Sequence, residues 1–194
     1  MKSEHLIDAL ATQGWYIWDD FLSLKQVQEI KLAIPQQLTD ARIGNGEKLQ
    51  ENKNIRGDQT LWLEPEMGEP IALYMDKMEE LRQLINRQLY LGLRDFETHY
   101  CRYPQGTFYK KHCDNFQGKG LRKVTTVLYL NEFWQSGDGG ELAMFNNDDQ
   151  QLATVDPIGG RLVIFMSEDF PHEVLPTKTE RCSIAGWFLS QKVF

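Results

Sequence analysis

Apolar positions in the first half of the chain recur at spacings of three and four, which is the period of a helix face. Leu6 and Leu10 begin a short helix. Ser23 is placed to cap a second, which runs through Val27, Ile30 and Ile34 and is limited by Pro35. The strongest period is Ile71, Tyr74, Met75, Met78, Leu81, Leu84 and Ile85. Between the second and third helices, residues 44–59 (GNGEKLQENKNIRGDQ) hold only Leu49 and Ile55 as apolar residues. This segment reads as an exposed, mobile loop. A short strand over Thr60–Leu63 follows it.

The pattern changes near residue 93. Beyond Arg94 the chain breaks into short strand-like pieces, separated by clusters of Gly, Pro, Asn and Asp. They are Phe96–Tyr103, Thr107–Asp114, Lys123–Asn131, Glu141–Phe145, Gln151–Asp156, Arg161–Phe165, Pro171–Pro176 and Arg181–Leu189. Such spacing predicts a sandwich or barrel. The expected fold class is α+β: a double-stranded β-helix, or jelly roll, supported by N-terminal helices. The expected organisation is one domain over 1–194, with helical support and the loop in 1–93 and the jelly-roll core in 94–190.

Composition narrows the function classes. With 194 residues and 41% hydrophobic residues, the chain has enough apolar surface for a packed core without disulfide staples. The net charge of −7 argues against a nucleic-acid partner, which would require a basic face. Its longest apolar runs, Ile71–Met75 and Leu162–Met166, fall far short of the ~20 residues that span a bilayer, so no membrane role is expected. Three cysteines, Cys101, Cys113 and Cys182, and an acidic N-terminal stretch point to a reducing, cytoplasmic location.

His112-Cys113-Asp114 falls inside a predicted strand, where residues two apart share a face. A histidine and a carboxylate projecting together become a metal site if a third ligand joins them, and His172 is the candidate. Two His and one carboxylate leave positions open on an octahedral metal, as non-haem Fe(II) oxygenases require. Alone, an H-x-D pair occurs often by chance. His5 and His99 are further histidines with no evident role. A hairpin joined by Thr177–Glu180 would set Pro176 opposite Arg181, Val174 opposite Ser183 and His172 opposite Ala185. That register puts His172 and Arg181 on one face, about 13 Å apart at ~3.3 Å per residue. The spacing suits a metal-chelated five-carbon diacid gripped by a guanidinium. On spacing alone Arg181 reads equally as a surface arginine beside Glu180.

Several stretches taken together resemble the Fe(II)/2-oxoglutarate-dependent oxygenases. The branch is the prolyl 4-hydroxylases of the hypoxia-inducible-factor type and their bacterial relatives. The stretches are IRGDQTLW (55–62), RYPQGTFYKKHCDN (102–115), TVLYLNEFW (126–134), GGELAMF (139–145), GRLVIF (160–165) and PHEVLPTKTERCSIAGWF (171–188). The resemblance implies His112, Asp114 and His172 as iron ligands and Arg181 as the anchor of the distal carboxylate of 2-oxoglutarate. It implies Tyr129 as the partner of that arginine, with Tyr103 and Trp187 lining the pocket; for Tyr129 and Trp187 the competing reading is core packing. It implies that Arg56 and Asp58 belong to a substrate-covering loop and that Arg122 lies near the substrate channel. Asp58 and Arg122 are expected to meet when that loop closes.

The same resemblance implies Fe(II), 2-oxoglutarate and dioxygen as cofactor and cosubstrates, with L-ascorbate assisting. The expected reaction is hydroxylation of a protein proline at C4, and elongation factor Tu is the expected partner. Three alternatives stand beside it. They are an oxygenase of the same fold acting on a free amino acid or other small molecule, a non-catalytic binding module, and a cupin-like metal protein with different chemistry.

Overall fold

The structure is a computed structural model, described here for residues 2–41, 52–115 and 120–191. Three helices precede most of the strands: α1 (Lys2–Thr12), α2 (Leu24–Ala33) and α3 (Glu69–Leu89). A complete capping box starts α2. The Gln26 amide donates to Ser23 Oγ at 3.3 Å, and the Ser23 amide donates to Gln26 Oε1 at 3.0 Å. In α3 the buried positions are Ile71, Tyr74, Met78, Leu81 and Ile85, one face of a 3.6-residue period. Each such burial contributes roughly 1.5–3 kcal/mol relative to exposure.

Eleven strands occur among the described residues: β1 (Trp15–Trp18), β2 (Thr39–Asp40), β3 (Gln59–Trp62), β4 (Asp95–Tyr103), β5 (Tyr109–His112), β6 (Arg122–Tyr129), β7 (Leu142–Phe145), β8 (Gln151–Val155), β9 (Leu162–Met166), β10 (His172–Val174) and β11 (Arg181–Leu189). They form a major sheet, ordered β1-β9-β6-β11-β4-β3-β2, and a minor sheet, ordered β5-β10-β7-β8. Every pairing between these strands is antiparallel. This is the expected double-stranded β-helix with helical support.

Alternation along the major strands divides the core in two. Val124 and Leu128 of β6, Leu162 and Ile164 of β9, and Cys182, Ile184 and Phe188 of β11 pack outward in one cluster with the helices. Val127 and Tyr129, Val163 and Phe165, and Cys101 and Tyr103 of β4 face inward, packed with Leu142, Met144 and Val174 of the minor sheet. The period of two thus sends one face of each strand to the helices and the other to the interior between the sheets.

Two expectations are corrected. The first half holds more strand than the one expected over Thr60–Leu63: β1 and β2 join β3 in the major sheet. β1, with the sequence WYIW, is too short and too uniformly apolar for alternation to reveal it. Nor do His172 and Arg181 lie on one hairpin. β10 pairs with β5 and β7, whereas β11 pairs with β4 and β6. The segment between them crosses from sheet to sheet. It is fixed by backbone bonds from Leu175 to Glu141, Thr177 to Thr107 and Lys178 to Asp138. Both edges of the three-residue β10 are already taken, so β11 has no place beside it. Of the loop expected over 44–59, residues 44–51 lie outside the described residues.

Replacing Ser23 with Ala removes the side-chain half of the α2 capping box. Chemical denaturation should register a loss of about 1 kcal/mol with an unchanged denaturant slope.

Candidate metal and diacid site

β5 ends at His112, and Asp114 lies in the bend just beyond it, not within a strand as expected. His172 opens β10 and is the register partner of His112. The two imidazoles are therefore neighbours across strands, with centroids 4.4 Å apart. Asp114 meets both: Oδ1 lies 3.6 Å from His112 Nε2, and Oδ2 lies 3.6 Å from His172 Nε2. One ligand atom from each of the three falls within 4.8 Å of the others.

The donor set fits a divalent transition metal. His112 Nδ1 donates to the Lys110 carbonyl at 2.8 Å, and His172 Nδ1 donates to the Phe170 carbonyl at 2.9 Å. A carbonyl only accepts, so both Nδ1 atoms carry the proton and both Nε2 lone pairs face Asp114. Burial drives His172 down to about 4, against the attraction of Asp114, leaving it a neutral ligand at pH 7. Burial would raise Asp114, but the two histidines, His172 foremost, hold it well below the usual carboxylate range. Thr125 donates to Asp114 Oδ2 at 2.8 Å and shares a 2.9 Å hydrogen bond with the buried Ser167.

Across the interior lies Arg181, 2% exposed. Its Nε donates to the Gly140 carbonyl at 2.8 Å and its Nη1 to Ser183 Oγ at 2.9 Å. The guanidinium carbon sits 4.8 Å from the Tyr103 ring centre and 5.2 Å from that of Tyr129. No carboxylate among the described residues pairs with it. Gly140 (φ +78°) makes this seat possible, because a Cβ there would stand 2.9 Å from Arg181 Cδ. The hydroxyl of Tyr129 and the indole N–H of Trp187 are buried without hydrogen-bond partners. Burial pushes Tyr129 up to about 12 despite Arg181, so its hydroxyl stays protonated and available to donate.

A cavity of about 550 Å³ joins these groups. His112, Asp114, His172, Arg181, Tyr103, Trp187, Arg56 and Arg122 all line it. Tyr129 stands beside Arg181, and Asp58 stands behind Arg56. Asp58 and Arg122 do not pair: Asp58 takes two hydrogen bonds from Arg56, at 2.6 and 2.8 Å, and Arg122 lies 2.7 Å from Glu97. In this structure each charge has a close partner of its own. The Arg122 guanidinium also covers the Trp187 ring at 3.7 Å.

Sequence reasoning missed Tyr109, Glu97, Thr125, His99 and Cys101, all of which line the cavity. His99 and Cys101 alternate with Tyr103 on β4, and that parity was the available signal. Their side chains touch, Nδ1 to Sγ at 3.1 Å, and Trp62 at the rim packs edge-on against His99. Burial drives His99 down to about 4 and Cys101 up to about 12, so both are neutral.

Comparison with known proteins agrees with this geometry. The model of the 2OG-Fe(II) oxygenase superfamily matches residues 98–189. A crystal structure of a Pseudomonas putida prolyl-4-hydroxylase superposes with a TM-score of 0.88 at 40% identity, covering 97% of this chain and 100% of that one. A Trichoplax adhaerens prolyl hydroxylase, solved with a hypoxia-inducible-factor peptide fragment, superposes at 0.82 with 28% identity, covering 97% and 89%. Human Egl nine homolog 1 is 33% identical over 197 residues, which is 95% of this chain and 46% of that protein. The chain thus spans about half the length of that curated relative. It belongs to the 2OG-Fe(II) oxygenase superfamily, within the prolyl hydroxylase branch of the hypoxia-inducible-factor type.

Neutral burial of His99 has a measurable consequence. Its folded pKa, about 4, lies below the ordinary 6.5, so the unfolded state binds more protons between those values. Stability should therefore be full above pH 6.5 and fall as pH drops towards 4. Urea melts across this range should show a shallower fall for His99→Gln than for the wild type.

Proposed function

We propose that this chain is a 2-oxoglutarate- and Fe(II)-dependent dioxygenase that hydroxylates a prolyl residue of a protein at C4, releasing succinate and CO2. The observation that carries the reading is Arg181, a buried cation that no carboxylate among the described residues pairs with, lining the same cavity as a His-Asp-His cluster. Its two hydrogen bonds, roughly 1.5–3 kcal/mol each, are of the same size as the several kcal/mol that burying a charge costs. A carboxylate from outside the chain completes the balance, and a diacid reaching towards the His-Asp-His cluster supplies one.

In this reading His112, Asp114 and His172 hold Fe(II), and Arg181, with Tyr129, Tyr103 and Ser183 around it, holds 2-oxoglutarate. Fe(II), when bound with 2-oxoglutarate and dioxygen, supplies the oxidising chemistry for a C–H bond. The chain supplies geometry. The planar guanidinium fork fixes the distal carboxylate in two dimensions. The Tyr129 hydroxyl offers that carboxylate a further donor, and the Trp187 indole faces the metal side. Val127, Leu142 and Val174 are the apolar walls that limit water between the two ends. No general base is needed for the C–H step. By resemblance, ascorbate keeps the metal reduced.

A protein substrate is favoured over a free amino acid by the rim, where Trp62 is half exposed and Arg122 and Glu97 flank the cavity. Elongation factor Tu is the partner we propose, on the resemblance to the bacterial members alone. We further take residues 1–194 to act as one catalytic domain in the cytoplasm. Cys101, Cys113 and Cys182, all free, suit a reducing compartment. Among the described residues no helix is long and apolar enough to cross a membrane.

Incubation with Fe(II), 2-oxoglutarate and elongation factor Tu, or proline peptides from it, should yield succinate and a one-oxygen mass gain. His112→Ala should abolish both. Arg181→Lys keeps the charge but loses the fork, so KM for 2-oxoglutarate should rise by about 10- to 100-fold. Normal turnover by His112→Ala would refute the metal assignment. Succinate formation stimulated by a free amino acid, with no mass gain on any protein, would favour the small-molecule alternative.

A further inference from the structure

The segment just before β3 is built into the minor sheet beside a metal-site histidine. Arg56 bridges to Tyr109, the Gly57 amide donates to the Phe108 carbonyl at 3.0 Å, and the Lys110 amide donates to the Ile55 carbonyl at 2.9 Å. Gly57 allows this approach, since a Cβ there would lie 2.8 Å from Thr107 Cβ. Here the Arg56 guanidinium lies 4.7 Å from the centre of the Tyr109 ring. On the same ring lies the His112 imidazole, at a centroid distance of 3.7 Å and an interplanar angle of 17°. Asp58, 1% exposed, holds the guanidinium with both carboxylate oxygens.

From this stack we infer that Tyr109 is a positioning residue for the metal ligand His112, and that the Arg56–Asp58 pair is the latch that holds Tyr109 in place. The inference rests on the metal reading proposed above. The Nδ1 bond to Lys110 fixes one edge of the His112 ring but leaves its plane free to rock about that bond. A flat partner at stacking distance removes this freedom. His172 is held differently: its neighbour Phe165 meets it edge-on, at 66° and 4.9 Å. The relay thus acts on one of the two imidazoles. It also links the seating of residues 55–58 to metal affinity, because unseating Arg56 releases Tyr109 and with it His112. Anything that stabilises the seated segment should tighten the metal, and the metal should stabilise the seat by the same factor.

The test uses the full chain with Co(II) as the probe metal and no peptide or 2-oxoglutarate, so contact with substrate plays no part. Co(II) affinity and ligand-field absorption are measured for wild type, Tyr109→Phe, Tyr109→Leu and the charge-neutral double variant Arg56→Gln/Asp58→Asn. Tyr109→Phe keeps the flat ring and should bind within twofold of wild type. Tyr109→Leu should weaken Co(II) by about tenfold, within the range for lost ligand-orienting partners, and alter the absorption bands. The double variant leaves no orphaned charge and should weaken binding several-fold. In Zn(II)-loaded protein it should shift the imidazole resonances of His112 more than those of His172. Wild-type affinity and spectrum in Tyr109→Leu would overturn the inference. If that variant does not fold, unchanged affinity in the double variant overturns it instead. A wild-type chain that binds neither metal would overturn the metal reading itself, and the relay with it.

Discussion

A guanidinium sealed inside the protein with no carboxylate partner among the described residues is the constraint on which the rest of this architecture turns. Arg181 could not sit where it does on a surface strand or in an ordinary sandwich core. Its seat requires a backbone carbonyl at Gly140, in a left-handed conformation that leaves room for the arginine stem, and a hydroxyl at Ser183. Two aromatic rings, Tyr103 and Tyr129, sit beside the cation. Each is only a partial substitute for water. A chain selected for stability alone gains by replacing such a residue with an apolar one. Retaining it makes sense when the cavity's contents bring the missing charge.

The inward faces of β4, β6 and β11 form the floor on which that charge would rest, and strand register sets the order of groups along it. Tyr103 lies opposite Arg181, Cys101 and Tyr129 flank Ser183, His99 and Val127 flank Ala185, and Glu97 and Thr125 flank Trp187. The floor thus runs from a cation seat, through small and apolar side chains, to the Trp187 row. There Thr125 reaches Asp114. A one-residue slip of β11 would turn its own four, Arg181, Ser183, Ala185 and Trp187, to the helical layer. The outward set, Cys182, Ile184 and Phe188 against α3 and its neighbours, therefore protects the inward set. The apolar packing of the helices holds the polar site in register.

Much of this was legible in the sequence because it obeys local periods. α3 shows its face at spacings of three and four, Ser23 marks the start of α2, and β4, β6 and β11 stand out as runs of eight or nine residues between clusters of Gly, Pro, Asn and Asp. Features set by partners across the fold were not legible. β1 has four residues and no polar ones. The path from His172 to Arg181 resembles a hairpin locally, yet both edges of β10 are occupied by strands distant in sequence. The stack of Tyr109 on His112 places residues three apart in a strand in contact, which regular alternation forbids. The register irregularity between β10 and β5 accompanies it. The convergence of His112, Asp114 and His172 was foreseen for a reason only partly right: His112 and Asp114 do converge, but across a bend.

Divided between two sheets, the site depends on how those sheets face each other. His112 and His172 belong to the minor sheet, Arg181 to the major one. A ligand held at one end by the histidines and at the other by the arginine, as proposed, would span the gap, so any shear between the sheets would change the length it must bridge. Two elements oppose such shear. Asp114 follows a minor-sheet strand yet accepts its hydrogen bond from Thr125 of the major sheet. Residues 55–62 run along both edges in turn: Ile55–Gly57 bonds to the β5 edge of the minor sheet, and Gln59–Trp62 pairs with β4 of the major sheet. Between them lies Asp58, buried and bound to Arg56. A brace at that corner sets the distance between metal end and anchor end without touching either, and its own polar groups are satisfied internally. That is why a buried ion pair is tolerated there: it fixes a geometry that apolar packing, which lacks direction, would leave loose.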